Sequence, residues 1–345
     1  MAEINHIYNQ ERVPLWSVIP LDTPFVIEIE PTSYCNLKCK YCLHSLPKHE
    51  ILESGHRFLH MSDEVFALLL KQVMQFPRNI KQIGFAGMGE PLLHKKLPHM
   101  IEQFKTVARI ERITITTNGV AMSHQLTTDL INAGLDHFKI SVNGLSSEDF
   151  KANCGVAVDF DQYMEQIEYL NQHKHNAKVA CKIMDSCLGG DEEAFYELFK
   201  DICDVMSIEK TVRVFQEVSY DGIIEKGKNV LSRYDMRNHK VQICASPFFR
   251  FAVKAGGEVS VCRLYNGLTA PDFNIQKLNL LQIWKADARR EMLLGVLKKS
   301  ECGLNAQCRD CTLRDDFAFE SDILDDHADE LYEKLTNERG AVGHG

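Results

Sequence analysis

Between residues 24 and 217, six short apolar runs alternate with segments of helical period, and no other property of the chain constrains its fold as much. Strands are expected near 24–30, 80–86, 111–117, 136–143, 176–184 and 210–217. Helices are expected near 62–76, 93–107, 123–133, 159–173 and 191–204. Ser62 ahead of Glu64, and Asp191 ahead of Glu192 and Glu193, put capping and acidic residues where helices begin. Six such alternations call for a parallel sheet of right-handed βαβ units.

Each strand carries apolar residues on one set of alternate positions and polar or small ones on the other. Ile27 and Ile29 oppose Glu28 and Glu30; Phe138, Ile140 and Val142 oppose Lys139, Ser141 and Asn143; Val212 and Val214 oppose Thr211 and Arg213. A parallel sheet with helices on both faces reads apolar on both. One polar face therefore predicts a curved sheet, an open or partial barrel whose inner face lines a polar cavity.

The pattern gives a domain plan. Residues 1–23 form an N-terminal extension and 24–218 the barrel. The polar stretch 219–240 reads as a linker. From 241 to 314 the chain is cysteine-rich, with strand-like runs FFRFAVK and EVSVCRL around a turn at Ala255-Gly256-Gly257, then two helical stretches near 280–297. Residues 315–345 form an acidic helix and tail. A net charge of −9 argues against nucleic acid or an anionic membrane as partner, since both require a basic surface. No apolar run reaches the length of a membrane span, and the N-terminus lacks a secretory pattern. A cytoplasmic location follows as the expectation. Twelve cysteines in that compartment point to metal or catalysis rather than disulfides.

Cys35-Asn-Leu-Lys-Cys39-Lys-Tyr-Cys42 follows the first strand directly. Three thiolates within eight residues can hold three irons of a [4Fe–4S] cubane and leave the fourth iron to a non-protein ligand. A zinc site completed by His44 is the competing reading. Gly87-Met88-Gly89-Glu90-Pro91 follows the second strand, where small residues let backbone approach a ligand.

A CxxxCxxC loop after the first strand of such a series, with a glycine motif after the second, resembles the radical S-adenosylmethionine (SAM) superfamily. The resemblance implies a partial (β/α)6 TIM-like barrel and a [4Fe–4S] cluster that binds SAM at its open iron. It implies reductive cleavage of SAM to a 5′-deoxyadenosyl radical, with electrons from a donor such as flavodoxin or ferredoxin. Carried over motif by motif, Tyr41 would lie beside the adenine, and Gly87, Gly89 and Glu90 would meet the SAM ammonium. Asn118, Ser141 and Asn143 would lie near its ribose and carboxylate, although the family more often has an acidic residue where this chain has Asn143. Lys182 or Arg213 would meet the carboxylate.

A second constellation, Cys244 and Cys262 around Gly257 followed by Cys308-Arg-Asp-Cys311, resembles the SPASM/twitch extension of these enzymes, a small C-terminal α+β module. The resemblance implies one auxiliary [4Fe–4S] cluster on Cys244, Cys262, Cys308 and Cys311. A structural zinc, or a three-cysteine cluster with an open iron as in molybdenum-cofactor cyclases, are the alternatives. Cys302 is a plain thiol, a substitute ligand or a hydrogen-atom donor to substrate. Cys154, Cys181, Cys187 and Cys203 have no metal spacing, and His44, His49, His56 and His60 read as a polar loop at the site mouth.

A fully ligated auxiliary cluster suits electron transfer. The expected reaction is therefore hydrogen abstraction from a polar small molecule, with net oxidation of a sugar or aminocyclitol alcohol. Glu28, Glu30, Lys139, Lys182, Arg213 and Glu217 on the cavity face would suit a hydroxylated substrate, with or without an amine, and Arg213, Glu217 and Cys302 are the catalytic candidates. The alternatives are a redox-neutral sugar epimerase or dehydratase, and a maturase acting on a peptide. The roughly 23 residues ahead of the first strand are fewer than the leader-binding domain of many such maturases requires.

Overall fold

The computed structural model describes residues 1–5, 12–107, 109–224, 233–234, 240–262, 267–298, 308, 311 and 313–337. One nine-stranded sheet organises it: β1 (Glu3–Ile4), β2 (Val26–Ile29), β3 (Gln82–Phe85), β4 (Ile113–Thr117), β5 (His137–Val142), β6 (Lys178–Met184), β7 (Val205–Glu209), β8 (Arg250–Val253) and β9 (Val259–Ser260). The order is β1-β7-β6-β5-β4-β3-β2-β8-β9, so the sheet is open, with β1 and β9 at its edges. All neighbours pair parallel except the β8–β9 hairpin.

Helices Asp63–Val73, Leu97–Lys105, His124–Asn132, Phe160–His173 and Glu192–Phe199 fill the expected crossovers. The Ser62 hydroxyl accepts from the Val65 N–H and the Asp191 carboxylate from that of Ala194, as the sequence requires. The helices cover the apolar strand face: Ile27, Ile83, Ile115, Phe138, Val179 and Ile183 are fully buried, against Leu69, Phe104, Ile167 and Phe199. Each such side chain contributes roughly 1.5–3 kcal/mol by leaving water. The opposite strand face, with Glu28, Thr114, Thr116, Lys139 and Lys182, lines a cavity. The expectation of one apolar and one polar face holds.

Three expectations change. The sixth strand is Val205–Glu209, not 210–217. Its helix stops at Phe199, and Val-Met-Ser-Ile-Glu supplies the alternation at the sheet edge. Beyond Glu209 the chain leaves the sheet, held by Thr211 N–H and hydroxyl donating to Asp185 Oδ1 (2.8 and 2.7 Å). In the acidic C-terminal segment the longer helix begins only at Ala328, after short helical turns at Leu313–Asp316, Glu320–Asp322 and Asp325–His327. Before that it bends, because Asp325 accepts from Gln242 N–H and the Leu324 side chain is sunk in the core. Glu30 lies outside the main cavity. It sits one residue past β2, beneath the Gly87 turn, and lines a small separate cavity with His56, Lys254 and Glu258.

The cysteine-rich segment is joined to the barrel by the sheet itself. Strand β8 pairs parallel with β2 over four residues, from Val26↔Arg250 to Ile29↔Val253. Helix Leu280–Lys285 is held through Gln72, whose amide donates to Ile275 O (2.9 Å) and accepts from Leu280 N–H (2.9 Å). No helix among the described residues is long and apolar enough to cross a membrane.

Candidate active site

At the carboxyl end of β2 the chain turns through Pro31 into the loop bearing Cys35, Cys39 and Cys42. Backbone from two directions fixes this loop. The helix Ser147–Cys154 ends with free carbonyls, as helices do. Asn153 O and Cys154 O accept from the N–H groups of Lys40 (2.8 Å) and Lys38 (3.0 Å). Lys40 Nζ also donates to Asn153 Oδ1 and Ser186 O, both at 2.8 Å. On the other side, Glu90 N–H donates to Tyr34 O (2.8 Å). Gly89 makes that approach possible, since a Cβ there would stand 2.2 Å from Thr32 O and 2.5 Å from Tyr34 O.

Each residue expected to hold SAM has a definite place. Gly87, Met88, Tyr41 and Cys42 line the cavity. Glu90 is 3 % exposed, and its carboxylate accepts from Thr117 Oγ1 (2.6 Å), Leu92 N–H (3.0 Å) and Asn118 N–H (2.7 Å). It therefore ties the glycine motif to the end of β4. Asn118 Nδ2 donates to Asn36 Oδ1 (2.8 Å), between two of the cysteines. The Tyr41 hydroxyl donates to Asn143 Oδ1, whose amide nitrogen donates to Ser141 O. Ser141 stands opposite Lys182 in register. Lys182 lines the cavity, but its ammonium is paired with Glu209 at 3.0 Å.

Glu209 is absent from the sequence-derived set. It is buried, and the neighbouring Lys182 and Arg233 hold its carboxyl down to about 2 despite the opposing cost of burial. The signal for it, an acid closing the run Val205–Glu209, falls in the gap between the helix expected near 191–204 and the strand expected near 210–217. Arg213 and Glu217 lie on the exposed cavity wall. The hydroxyl of Tyr220 holds that wall against the cluster loop. It accepts from Val214 N–H (3.0 Å) and Phe215 N–H (3.2 Å) and donates to Tyr41 O (3.1 Å). Cys302 lies outside the described residues.

At the far side of the cavity, Cys244 precedes the short helix Ser246–Phe249 and Cys262 follows β9. Cys244, Cys262 and Cys311 line the cavity, and Cys308 lies close enough to Cys244 to act on it electrostatically. The cavity, about 900 Å³, thus runs from Cys42 to the second cysteine group.

Both groups suit iron–sulfur clusters in donor chemistry. Burial pushes the Cys35, Cys42 and Cys244 thiols up to about 12, so without metal they keep their protons, and bound cations would draw out the thiolates. Among the described residues no three His, Cys, Asp or Glu side chains close on a single-ion site. A cubane, in which each thiolate binds its own iron, does not need them to. His44, the proposed fourth zinc ligand, is turned to Met88 O at 2.8 Å.

Comparison with known proteins agrees. A family model described as the radical SAM superfamily matches residues 29–202, and one for an iron–sulfur cluster-binding SPASM domain matches 244–312. Among curated proteins, the chain is 29 % identical over 67 % of its length to molybdenum cofactor biosynthesis protein 1 of Dictyostelium discoideum, covering 36 % of that protein. It is 34 % identical over 36 % of its length to GTP 3′,8-cyclase of Chlorobaculum tepidum, covering 34 % of it. The matches thus span about a third of the length of these relatives. Among solved structures, Streptococcus suis SuiB bound to S-adenosylmethionine aligns with a TM-score of 0.60 at 16 % identity, over 88 % of this chain and 74 % of that one. BtrN in complex with AdoMet and 2-DOIA gives 0.50 at 20 %, over 84 % and 92 %. The loop, the glycine motif, the open parallel sheet and the second cysteine group have one common explanation: the chain belongs to the radical SAM superfamily and carries a C-terminal SPASM iron–sulfur domain.

Proposed function

We propose that this enzyme uses the 5′-deoxyadenosyl radical from SAM to abstract a hydrogen atom from a polar small molecule, oxidising a sugar or aminocyclitol alcohol, with an auxiliary [4Fe–4S] cluster as electron acceptor. The net loss from the alcohol is one hydrogen atom to the deoxyadenosyl carbon, one electron to the cluster and one proton to solvent. The observation that carries the reading is the single cavity shared by the two cysteine groups. Substrate held there is within reach of both a hydrogen acceptor and an electron acceptor.

The residues take roles accordingly. Cys35, Cys39 and Cys42 hold the SAM-binding cluster, and Cys244, Cys262, Cys308 and Cys311 the auxiliary one. Gly87 and Met88 offer backbone to SAM beside Tyr41. Glu90, Asn118 and Asn143 orient these groups from behind, since their polar atoms are already bonded within the protein. Lys182 binds through a charge shared with Glu209, while Arg213 and Glu217 meet substrate at the wall. The barrel spans 24–218 and the auxiliary module 241–314, joined through 219–240.

The test is anaerobic turnover with SAM, dithionite and a panel of sugars and aminocyclitols. The expected result is 5′-deoxyadenosine formed one-for-one with a ketone product. Deoxyadenosine with an isomerised or dehydrated sugar would move the protein to the redox-neutral group, and activity confined to peptides would make it a maturase. Absence of deoxyadenosine under all conditions would overturn the reading.

A further inference from the structure

The chain carries a net charge of −9, yet its cavity is basic. Among the described residues, nine lysines and arginines line it against four carboxylates. The sequence leaves open whether the substrate carries an amine, and the assembled lining favours an anion.

The position of the cations matters more than their number. Lys139 projects from the middle of β5 and is 4 % exposed; Arg250 opens β8 and is 5 % exposed; Arg112 immediately precedes β4. Lys139 lies close enough to both arginines to feel their charge. The carboxylates acting on this group are Glu28, which accepts from Arg250 Nη2 at 2.7 Å, Glu209, which Lys182 and Arg233 already pair, and Asp136 and Glu111 beside Arg112. Glu28 has room there because β3 places a glycine opposite it: a Cβ on Gly84 would stand 2.3 Å from Glu28 Oε2. Along the cavity wall as a whole, nine cations against four carboxylates leave an excess of positive charge in a poorly solvated space, where like charges repel strongly. Burial with this crowding pulls the Lys139 amine down to about 8.

The clusters and SAM do not account for that charge. Gly87 and Met88 follow the carboxyl end of β3, whereas Arg112 and Arg250 stand at the amino ends of their strands. At Cys35 and Cys42 the chief charged neighbours are the other thiols and Glu90, and at Cys244 and Cys311 they are the other cysteines and Arg314. SAM itself adds a sulfonium and an ammonium.

We propose that Lys139, Arg112 and Arg250 form an oxyanion subsite and that the substrate is a sugar bearing a phosphate or carboxylate, seated on this floor with its reacting carbon toward Gly87 and Met88. This rests on the reading of the cavity as the substrate site. Guanidinium groups bind either anion through paired N–H donors, and Lys139 adds a point charge.

The test is anaerobic calorimetry on the cluster-loaded enzyme with SAM and without reductant. The probes are glucose 1-phosphate, glucuronate, neutral myo-inositol and cationic streptamine. One of the two anions is expected to bind most tightly, which distinguishes phosphate from carboxylate, with affinity falling as salt is added. Lys139→Gln and Arg250→Gln should each weaken that anion roughly tenfold or more, and Lys139→Arg should restore much of it. Iron content and the visible cluster spectrum report that the variants are folded. Streptamine binding above both anions, anion affinity indifferent to the substitutions, or no anion binding at low ionic strength would each overturn the proposal. Binding is read without turnover, so failure to form deoxyadenosine would sink the proposed function and leave this result standing.

Discussion

The two cysteine groups are built on opposite plans. Cys35, Cys39 and Cys42 come from one eight-residue loop, and the rest of the barrel is organised to hold that loop still. Helix Ser147–Cys154 grips it through two carbonyls, Glu90 braces it from the turn after β3 and Asn118 from the end of β4, and Tyr220 closes over it. The second group draws on three separate stretches: the residue before a short helix, the end of a hairpin and a late CxxC pair. Its precision comes from β8 adding to the edge of β2, so that the barrel's own sheet carries the hairpin to the cavity. A site whose cofactor must be approached by an organic ligand needs rigid first neighbours. One that passes electrons needs chiefly to be at the right distance from substrate.

The sharpest break between the two plans comes from removing one ligand of each. Cys39→Ala should abolish SAM cleavage, a larger loss than the roughly 10–100-fold typical of outer-shell partners. Deoxyadenosine quantified by chromatography after anaerobic incubation is the readout. Cys311→Ala should retain some deoxyadenosine formation, uncoupled from product, while oxidised product falls to background. Equal loss of both in Cys311→Ala would mean that the second group supports the barrel rather than accepting electrons.

A glycine from each region sharpens the contrast without touching a ligand. In Gly89→Ala the new methyl meets the backbone oxygens of Thr32 and Tyr34, which cannot move without moving the cluster loop. A loss of roughly 2–4 kcal/mol and reduced iron per chain are expected. In Gly256→Ala the nearest atoms belong to the Glu258 carboxylate, at 2.6 Å, the far end of a flexible side chain. Less than about 1 kcal/mol is expected there. Thermal melts and iron assays on the two variants measure both.

Sequence legibility follows the same division. The cluster loop and glycine motif could be read because their chemistry is local: residue types at fixed short spacing. The strand faces could be read because side chains alternate with period two. The β2–β8 pairing could not, since nothing in FFRFAVK specifies a parallel partner more than two hundred residues earlier. Glu209 was missed for a related reason: its value lies in meeting Lys182 and Arg233, which only the register of β6 and β7 brings together. Glu90 is recognisable as part of a motif, but its bonds to Thr117 and Asn118 are tertiary and have no signature in the spacing. Helix Ser147–Cys154 has weak apolar periodicity and is not among the expected helices, and its grip on the cluster loop is a tertiary contact that spacing does not carry.

One residue belongs to both regions, and the effect predicted for it appears only as pH rises. Glu30 follows β2, donates its N–H to Val253 O on β8 (2.9 Å), and accepts through its carboxylate from Met88 N–H (2.8 Å) on the SAM side and from Ala255 N–H on the auxiliary hairpin. Burial raises its carboxyl to about 7, outweighing those two bonds and the nearby Lys254. The sign follows from the unfolded chain, where the group titrates near 4.5. Between 4.5 and 7 the folded protein binds the proton more tightly, so the stability Glu30 contributes is present at low pH and lost as pH rises through 7. Glu30→Gln mimics the protonated form at every pH. Its Tm should match wild type near pH 4 and exceed it by a few degrees near pH 8, a difference of at most about 3 kcal/mol. A variant less stable by the same amount at both pH values would show that Glu30 is ionised throughout and pairs with Lys254. The link between the two cysteine regions would then be an ion pair rather than a proton-sensitive clasp.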